Sequence, residues 1–315
     1  MQSANIRSSC ASCTENSHDW KLYPAAFRDK MKNSIAKPYD YKGDFPIMMN
    51  LSQARRIVVK VGTSTLTYPT GKLNIRGIER LVRCIADLHN RGYEMVLVSS
   101  GAIAVGAAKM RLPERPQELR MKQAAAAVGQ CELMHVYDKI FAEYGINTAQ
   151  ILLTTEDTED ETRRRNVHNT FDALLETKSL PIVNENDTVA VEEIEFGDND
   201  SLAAVVSRVS NADLLVVFTD MDGLFDDDPR ENPEARLIPV VHEINDDLRA
   251  IAGGAGTANG TGGMITKLHA AELCNETNIP MFVVNGAKPE ILYDLADGRL
   301  AGTLFLPPNY DSARS

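Results

Sequence analysis

The chain has 315 residues, of which 43% are hydrophobic and 24% charged, a composition typical of one large α/β domain or two smaller ones. Its formal net charge of -11 disfavours a surface that binds nucleic acid or an anionic membrane. No stretch reaches the roughly 18 consecutive apolar residues that a transmembrane helix needs.

The five cysteines indicate a reducing compartment, which we expect to be the cytoplasm, because their number is odd and three of them fall in apolar, helix-like stretches. Cys10 and Cys13, with His18 nearby, are also compatible with half of a zinc site. No second pair of ligands follows at the spacing of a zinc finger. A disordered tail is therefore the preferred interpretation, and no metal ligand is predicted.

Residues 1–50 differ from the rest of the chain because they are polar and show no hydrophobic periodicity. They lack the continuous apolar core of a secretory signal. We expect a disordered N-terminal extension, a catalytic domain over 51–306 and a C-terminal tail over 307–315. Translation could also begin at Met48 or Met49.

Short apolar strands alternate with amphipathic helices from Arg55 onwards. Strands are predicted at Ile57–Val61, Met95–Val98, Ala149–Leu153, Leu180–Val183, Leu214–Thr219 and Met281–Val284. Helices are predicted at Leu73–Asn90, in a helix-rich stretch that ends at Tyr144, and at Arg163–Thr177, Leu202–Ser210, Ile265–Thr277 and Pro289–Ala296. This order predicts an α/β fold, a three-layer αβα sandwich with a mostly parallel central sheet. Ligands of such folds bind beyond the carboxyl ends of the strands.

Two glycine-rich loops, each with one lysine, indicate a phosphate site. The first is Val59-Lys60-Val61-Gly62-Thr63-Ser64, and the second is Thr261-Gly262-Gly263-Met264-Ile265-Thr266-Lys267. Glycine lets backbone N–H groups approach phosphate oxygens, and lysine adds a point charge. Six glycines between Gly253 and Gly263 predict a mobile loop before the second lysine. Taken alone, the first lysine could simply end a strand and reach solvent.

Three further loops follow predicted strands. Ser99-Ser100-Gly101-Ala102 opens a helix, where exposed N–H groups could bind a carboxylate or phosphate, or form an ordinary helix cap. Asn184-Glu185-Asn186-Asp187 and the segment Phe196–Ser201 combine amides with carboxylates, which suits recognition of an amino acid; a hairpin-like segment over Val189–Glu195 separates them. Solvated turns are the alternative. The segment Thr219–Phe225 suits a base or ribose, or forms a plain turn.

Taken in order, these segments resemble the amino acid kinase family over about residues 55–306. The motifs are V-K-V-G-T-S at 59–64, V-S-S-G-A-I-A at 98–104, N-E-N-D at 184–187, G-D-N-D at 197–200, T-D at 219–220 with G-L-F at 223–225, and G-T-G-G-M-I-T-K at 260–267. The first and last motifs are shared across the family, whereas N-E-N-D with G-D-N-D is similar to members that phosphorylate glutamate.

The resemblance implies a role for each matching residue. Lys60 and Lys267 would contact the transferring phosphoryl group, and Asp200 would organise both lysines. Glutamate would be bound by Ser100, Asp187 and Asn199. ATP would be bound by Lys60, Thr219, Asp220, Thr261, Gly262, Gly263, Met264, Ile265, Thr266 and Lys267.

The resemblance further implies ATP as co-substrate, Mg²⁺, inhibition by proline, and assembly as a dimer or tetramer. Many bacterial members continue into a C-terminal PUA domain, which is not expected here because the chain stops shortly after Leu304-Phe305-Leu306. The form of proline control therefore stays open.

The implied reaction is transfer of the ATP γ-phosphoryl group to the side-chain carboxylate of L-glutamate, the first step of proline biosynthesis. Alternatives are a family member acting on N-acetylglutamate, aspartate, carbamate or UMP, and a nucleotide- or proline-binding regulator without turnover. Another is one half of a fused pyrroline-5-carboxylate synthase. Because the chain is too short for the reductase half, a separate glutamyl phosphate reductase is the expected partner.

Overall fold

Apolar runs in the chain form the strands, and amphipathic runs form the helices between them. The computed structural model describes residues 54–189, 199–254, 263–308 and 310. Within those residues, the strands are β1 (Arg56–Val61), β2 (Glu94–Ser99), β3 (Thr148–Leu153), β4 (Leu180–Glu185), β5 (Leu214–Thr219), β6 (Val240–Val241), β7 (Met281–Asn285) and β8 (Thr303–Phe305). The helices are α1 (Thr63–Leu66), α2 (Ile75–Asn90), α3 (Ala102–Lys109), α4 (Leu119–Ala142), α5 (Thr155–Glu159), α6 (Glu161–Glu176), α7 (Asn199–Val209), α8 (Asp246–Gly254), α9 (Met264–Glu276) and α10 (Ile291–Ala296).

The strands of this part of the chain form one sheet in the order β3-β4-β2-β1-β5-β7-β8-β6. Every pairing is parallel except that of β7 with β8. Strand β1 lies in the middle, with Lys60 opposite Val98 of β2 on one side and Val217 of β5 on the other. The predicted mostly parallel sheet is therefore confirmed.

Alternating residues of the strands face two separate hydrophobic cores. In β1, Ile57 and Val59 belong to the core covered by α2, α3, α4 and α10. Val58 belongs to the core covered by α6, α7, α8 and α9. Each fully buried valine of this kind contributes roughly 1.5–3 kcal/mol to folding. Helices on both faces make the predicted three-layer αβα sandwich.

The long helix α2 shows how the sequence specifies one of these layers. Its residues Ile78, Leu81, Val82, Ile85 and Leu88 are all buried, as their helical spacing predicts. The helix begins where the side chain of Asn74 accepts a hydrogen bond from the Gly77 N–H, at 3.0 Å. It ends before Gly92, whose φ of 96° is a conformation that favours glycine.

Helices α3 and α4 cross at a distance that only glycine permits. A Cβ atom at Gly106 would lie 1.7 Å from the carbonyl oxygen of Ala125, and one at Gly129 would lie 1.8 Å from that of Ala102. The two backbones are therefore in direct contact, which sets the position of the start of α3 relative to the middle of α4.

The amino-terminal end of β1 is tied to its neighbours by polar groups. The backbone N–H groups of Arg55 and Arg56 donate to Asp213 Oδ2 at 2.7 and 2.9 Å. The Arg56 guanidinium donates to Glu94 at 2.7 Å, to Asp172 at 3.3 Å and to the carbonyl of Ser210. These bonds join β1 to β2, α6 and the end of α7.

The sequence did not predict the shortest helices and strands, and it placed Gly253 and Gly254 in a loop rather than in a helix. The elements α1, α5, β6 and β8 are too short to show a period. The expected mobile loop from Gly253 is wrong at its start, because α8 continues to Gly254. Asn245 caps this helix by accepting from the Leu248 N–H at 3.0 Å, and the first turn carries two aspartates.

Several predictions lie outside the described residues. These are the extension over 1–50, the hairpin-like segment after Val189, most of the glycine-rich stretch, and most of the tail over 307–315. Among the residues that the structure does describe, no helix combines the length and the apolar character needed to cross a membrane.

Candidate active site

The sheet brings the functional loops to one edge, because parallel strands present their carboxyl ends on the same side. Lys60 stands at the end of β1, Ser100 follows β2, and Asp187 follows β4. Thr219 ends β5 on the opposite side of β1. The predicted glutamate residues and the predicted nucleotide residues therefore flank Lys60 from two sides.

A buried carboxylate joins the two lysines. Asp200, in the first turn of α7, lies 2.5 Å from Lys60 Nζ through Oδ1 and 3.1 Å from Lys267 Nζ through Oδ2. Asp200 is 0% exposed, and Lys60 and Lys267 are 7% and 4% exposed. The structure thus brings together the two lysine loops, which are more than 200 positions apart in the chain, as the sequence predicted.

Burial alone would raise the pKa of Asp200, because a carboxylate loses its hydration. The charges and hydrogen bonds of Lys60 and Lys267 more than offset this effect and lower the pKa of Asp200 from 3.8 to about 2. The Asp200 carboxylate is therefore ionised at neutral pH.

The start of α9 is attached to the same carboxylate. Thr266 Oγ1 lies 3.0 Å from Asp200 Oδ2 and 2.7 Å from the carbonyl oxygen of Gly263. Met264 is buried, whereas Ile265 is 57% exposed. The other two residues of the predicted ATP loop, Thr261 and Gly262, lie outside the described residues.

The loops after β1 and β2 lie against each other. A Cβ atom at Gly62 would lie 3.8 Å from Lys60 Nζ, so the absence of a side chain leaves room beside the ammonium group. Gly101 has a φ of 96° and faces Thr63. The N–H of Ser100 donates to the carbonyl of Val61 at 3.1 Å. The loop therefore uses the Ser100 N–H internally, whereas ligand binding by the other N–H groups at the start of α3 stays a prediction.

A cluster of side-chain amides lies beside the ends of β2 and β4. Asn199 donates through Nδ2 to the carbonyl of Ser99 and to Asn184 Oδ1, both at 2.9 Å. Asn184, which is 2% exposed, donates to Gln130 Oε1 at 3.0 Å. The sequence did not indicate a role for Gln130, because this residue lies inside a helix, away from any loop motif. The preceding Gly129 is the one signal that marks it. Asp187 lies half-buried in the turn after β4.

The residues predicted to bind the nucleotide lie beside β5 and β7. Thr219 is buried, and its hydroxyl lies 3.1 Å from Oδ1 of the exposed Asp220. The Thr219 carbonyl accepts from the Gly286 N–H at 2.7 Å. A Cβ atom at Gly286 would lie 2.6 Å from the Thr65 hydroxyl, so this glycine lets the loop after β7 approach α1.

A sandwich with a central, mostly parallel sheet and two lysines on one carboxylate at its edge defines a class of phosphoryl-transfer proteins. The chain belongs to the amino acid kinase family, whose model matches residues 55–285. A solved UMP kinase from Bacillus anthracis shares this fold, with a TM-score of 0.55 at 15% identity over 81% of this chain and 97% of that chain.

Curated glutamate 5-kinases are much more similar in sequence. The chain is 54% identical to the glutamate 5-kinase of Clostridium acetobutylicum over 259 residues, which cover 82% of this chain and 97% of that protein. It is also 54% identical to the glutamate 5-kinase of Clostridium tetani, over 81% of this chain and 96% of the relative.

Proposed function

We propose that the protein phosphorylates the side-chain carboxylate of L-glutamate with ATP, forming L-glutamyl 5-phosphate in the first step of proline biosynthesis. The observation that carries this proposal is Asp200 held between Lys60 and Lys267 at the edge of the sheet. The similarity to glutamate 5-kinases along nearly their whole length supports glutamate as the acceptor.

The acceptor needs no general base. The side-chain carboxylate of glutamate has an ordinary pKa of about 4.3 and is therefore already a nucleophile at neutral pH. Its oxygen attacks the γ-phosphorus of ATP, the bond to the β,γ-bridging oxygen breaks, and ADP leaves. Catalysis then consists of aligning the two reactants and of stabilising the charge on the transferring group.

The two lysines supply that charge stabilisation. Both ammonium groups are fixed by Asp200, so they are preorganised before the substrates bind. Thr266 holds the carboxylate from a third direction. In this role, Lys60, Lys267 and Asp200 are the catalytic set.

The two substrates occupy opposite sides of β1. We place glutamate on the side of β2 and β4, where it is bound by Ser100, Asp187 and Asn199. ATP lies on the side of β5 and α9, bound by Lys60, Thr219, Asp220 and the loop 261–267. This division follows the sheet order, in which β2 and β5 flank β1.

We propose that Mg²⁺ enters the site as a companion of ATP. Among the described residues, no group of three or more His, Cys, Asp or Glu side chains is placed to hold a metal. Mg²⁺ commonly keeps its waters and binds through substrate phosphates. When bound it would neutralise phosphate charge, and we assign it no ligand from the chain.

The remaining assignments follow from membership of the family. We propose that residues 51–306 form the catalytic domain, that the chain acts in the cytoplasm as a homodimer or homotetramer, and that proline inhibits it. A separate glutamyl phosphate reductase would consume the labile product. Cys84 and Cys274, which are buried, and Cys131, which is exposed, are all free thiols, which supports a reducing compartment.

The test is an assay for the acyl phosphate. The protein is incubated with ATP, Mg²⁺, glutamate and hydroxylamine, and γ-glutamyl hydroxamate is measured. Parallel reactions with N-acetylglutamate and aspartate, and formation of UDP from UMP, distinguish the other acceptors. Hydroxamate from glutamate alone is the expected result. ATP binding without any product would instead identify a regulator.

A further inference from the structure

The hydrogen bonds of the amide cluster beside the proposed glutamate site have a defined direction, which two backbone groups determine independently. The N–H of Glu185 can only donate, and it lies 2.9 Å from Asn184 Oδ1. The carbonyl of Ser99 can only accept, and it lies 2.9 Å from Asn199 Nδ2. The Ser99 carbonyl thus identifies Asn199 Nδ2 as a donor, and the Glu185 N–H identifies Asn184 Oδ1 as an acceptor. These two assignments agree, because Asn199 Nδ2 donates to Asn184 Oδ1 at 2.9 Å.

The same arrangement explains the position of Gln130. Because Asn184 Oδ1 faces the two donors from which it accepts, Nδ2 faces the other way and needs an acceptor of its own. That acceptor is Gln130 Oε1, at 3.0 Å. Asn184 is 2% exposed, and a buried donor without an acceptor is costly. Gln130 therefore holds the Asn184 amide in its orientation.

The other end of the cluster is Asn199, which we place in the glutamate site. Both hydrogens of Asn199 Nδ2 are used, one on the Ser99 carbonyl and one on Asn184. The side-chain atom left for a ligand is Oδ1, which can only accept. Of the groups on glutamate, the α-ammonium is the donor that matches this oxygen.

We propose that Gln130 is a positioning residue that acts through Asn184 to present Asn199 Oδ1 to the α-ammonium of the substrate. Without Gln130, the Asn184 amide rotates to find another acceptor and withdraws Oδ1 from Asn199. Asn199 then loses the bond that fixes its own orientation. This inference rests on the proposed phosphorylation of glutamate and adds how the site selects a free amino group.

The decisive comparison is between glutamate and glutarate, which lacks the amino group. Gln130→Met removes the acceptor, and we expect the preference for glutamate over glutarate in kcat/KM to fall about ten-fold. Gln130→Glu keeps an acceptor for Asn184, so this preference should not fall. The new carboxylate repels glutarate, which carries two negative charges, more than glutamate, whose ammonium offsets one of them, so any change should raise the preference.

Glutarate is measured as a substrate, or as a competitive inhibitor if its turnover is slow. The KM for ATP and the kcat at saturating glutamate should not change in Gln130→Met. Gln117→Met is the matched control, because the Gln117 amide lies on the surface and donates to the nearby Arg115 carbonyl. If Gln130→Met does not fold, Gln130→Ala replaces it with the same expected loss.

The outcomes separate this inference from the proposed function. An unchanged preference in Gln130→Met, or an equal loss of preference in Gln130→Glu, would overturn the positioning role. Equal falls for glutamate and glutarate would identify Gln130 as a merely structural residue. If the wild-type protein forms no hydroxamate from glutamate, the proposed function itself fails.

Discussion

Among the described residues, the two ends of β1 pair cations with carboxylates in different ways. At its amino-terminal end, one guanidinium, that of Arg56, bonds to the carboxylates of Glu94 and Asp172. At its carboxyl end, two ammonium groups, those of Lys60 and Lys267, share the carboxylate of Asp200. Burying charges costs several kcal/mol per ion, so two lysines on one carboxylate are a poor way to stabilise a fold. The first arrangement joins elements, whereas the second is suited to an anionic ligand.

Removing the shared carboxylate should have the largest effect. Asp200→Asn leaves two buried ammonium groups without their carboxylate, and we expect a loss of about 3–5 kcal/mol in unfolding free energy together with loss of turnover. Urea denaturation measures the first effect, and saturating ATP with Mg²⁺ should reduce it by supplying phosphate charge. Asp172→Asn at the other end of β1 is the control, and ATP should not reduce its effect. An Asp200→Asn protein as stable as wild type would contradict the comparison.

Removing either lysine should mainly affect the reaction. In Lys60→Ala and Lys267→Ala, Asp200 keeps the other lysine, so the fold should persist while kcat falls roughly 10²–10³-fold. The hydroxamate assay and a thermal melt measure the two effects separately. Lys109→Ala is the matched control, since this exposed lysine pairs with Glu132 away from the site. Near wild-type kcat in either site variant would refute the assigned roles.

Breaking the other end of β1 should change stability alone. Arg56→Met removes the bonds to Glu94, Asp172 and the Ser210 carbonyl, and we expect a loss of about 1–3 kcal/mol in unfolding free energy. Because this end lies at the opposite edge of the sheet, kcat measured well below the melting temperature should not change. A fall in kcat comparable to that of Lys60→Ala would show that the two ends do not have separate roles.

The smallest expected effect is on pH dependence. The pKa of Asp200 is lowered from 3.8 to about 2, so its contribution to stability is fully present above about pH 4 and is lost as the pH falls through about 2. A profile of log kcat/KM from pH 5 to 9 should therefore contain no transition caused by Asp200. If the difference in unfolding free energy between wild type and Asp200→Asn, measured by urea denaturation, changes between pH 5 and 8, the pKa assignment is wrong.

The sequence predicted the parts of this site that lie in loops after strands. The parallel strands require the loops after β1, β2, β4 and β5 to share an edge. Lys267 lies in α9, which among the described elements follows α8 rather than a strand, so the glycines before this helix were the signal that marked it. The sequence could not predict the bond from Thr266 to Asp200 or the place of Gln130, because both depend on which helices meet across the sheet. The helix ending at Gly254 was missed for a related reason, since terminal glycines in a helix look like the start of a loop.

The crossing of α3 and α4 has a consequence for how this site tolerates sequence change. Gly129 precedes Gln130 and touches the carbonyl of Ala102, which opens the helix after Ser100. One backbone contact therefore sets the position of both the loop after β2 and the amide cluster. A single methyl group at position 129 would shift these two features together, while the lysines on β1 and α9 would keep their places. We therefore expect a substitution at position 129 to change affinity for the proposed acceptor while the lysines proposed to contact the phosphoryl group stay in position.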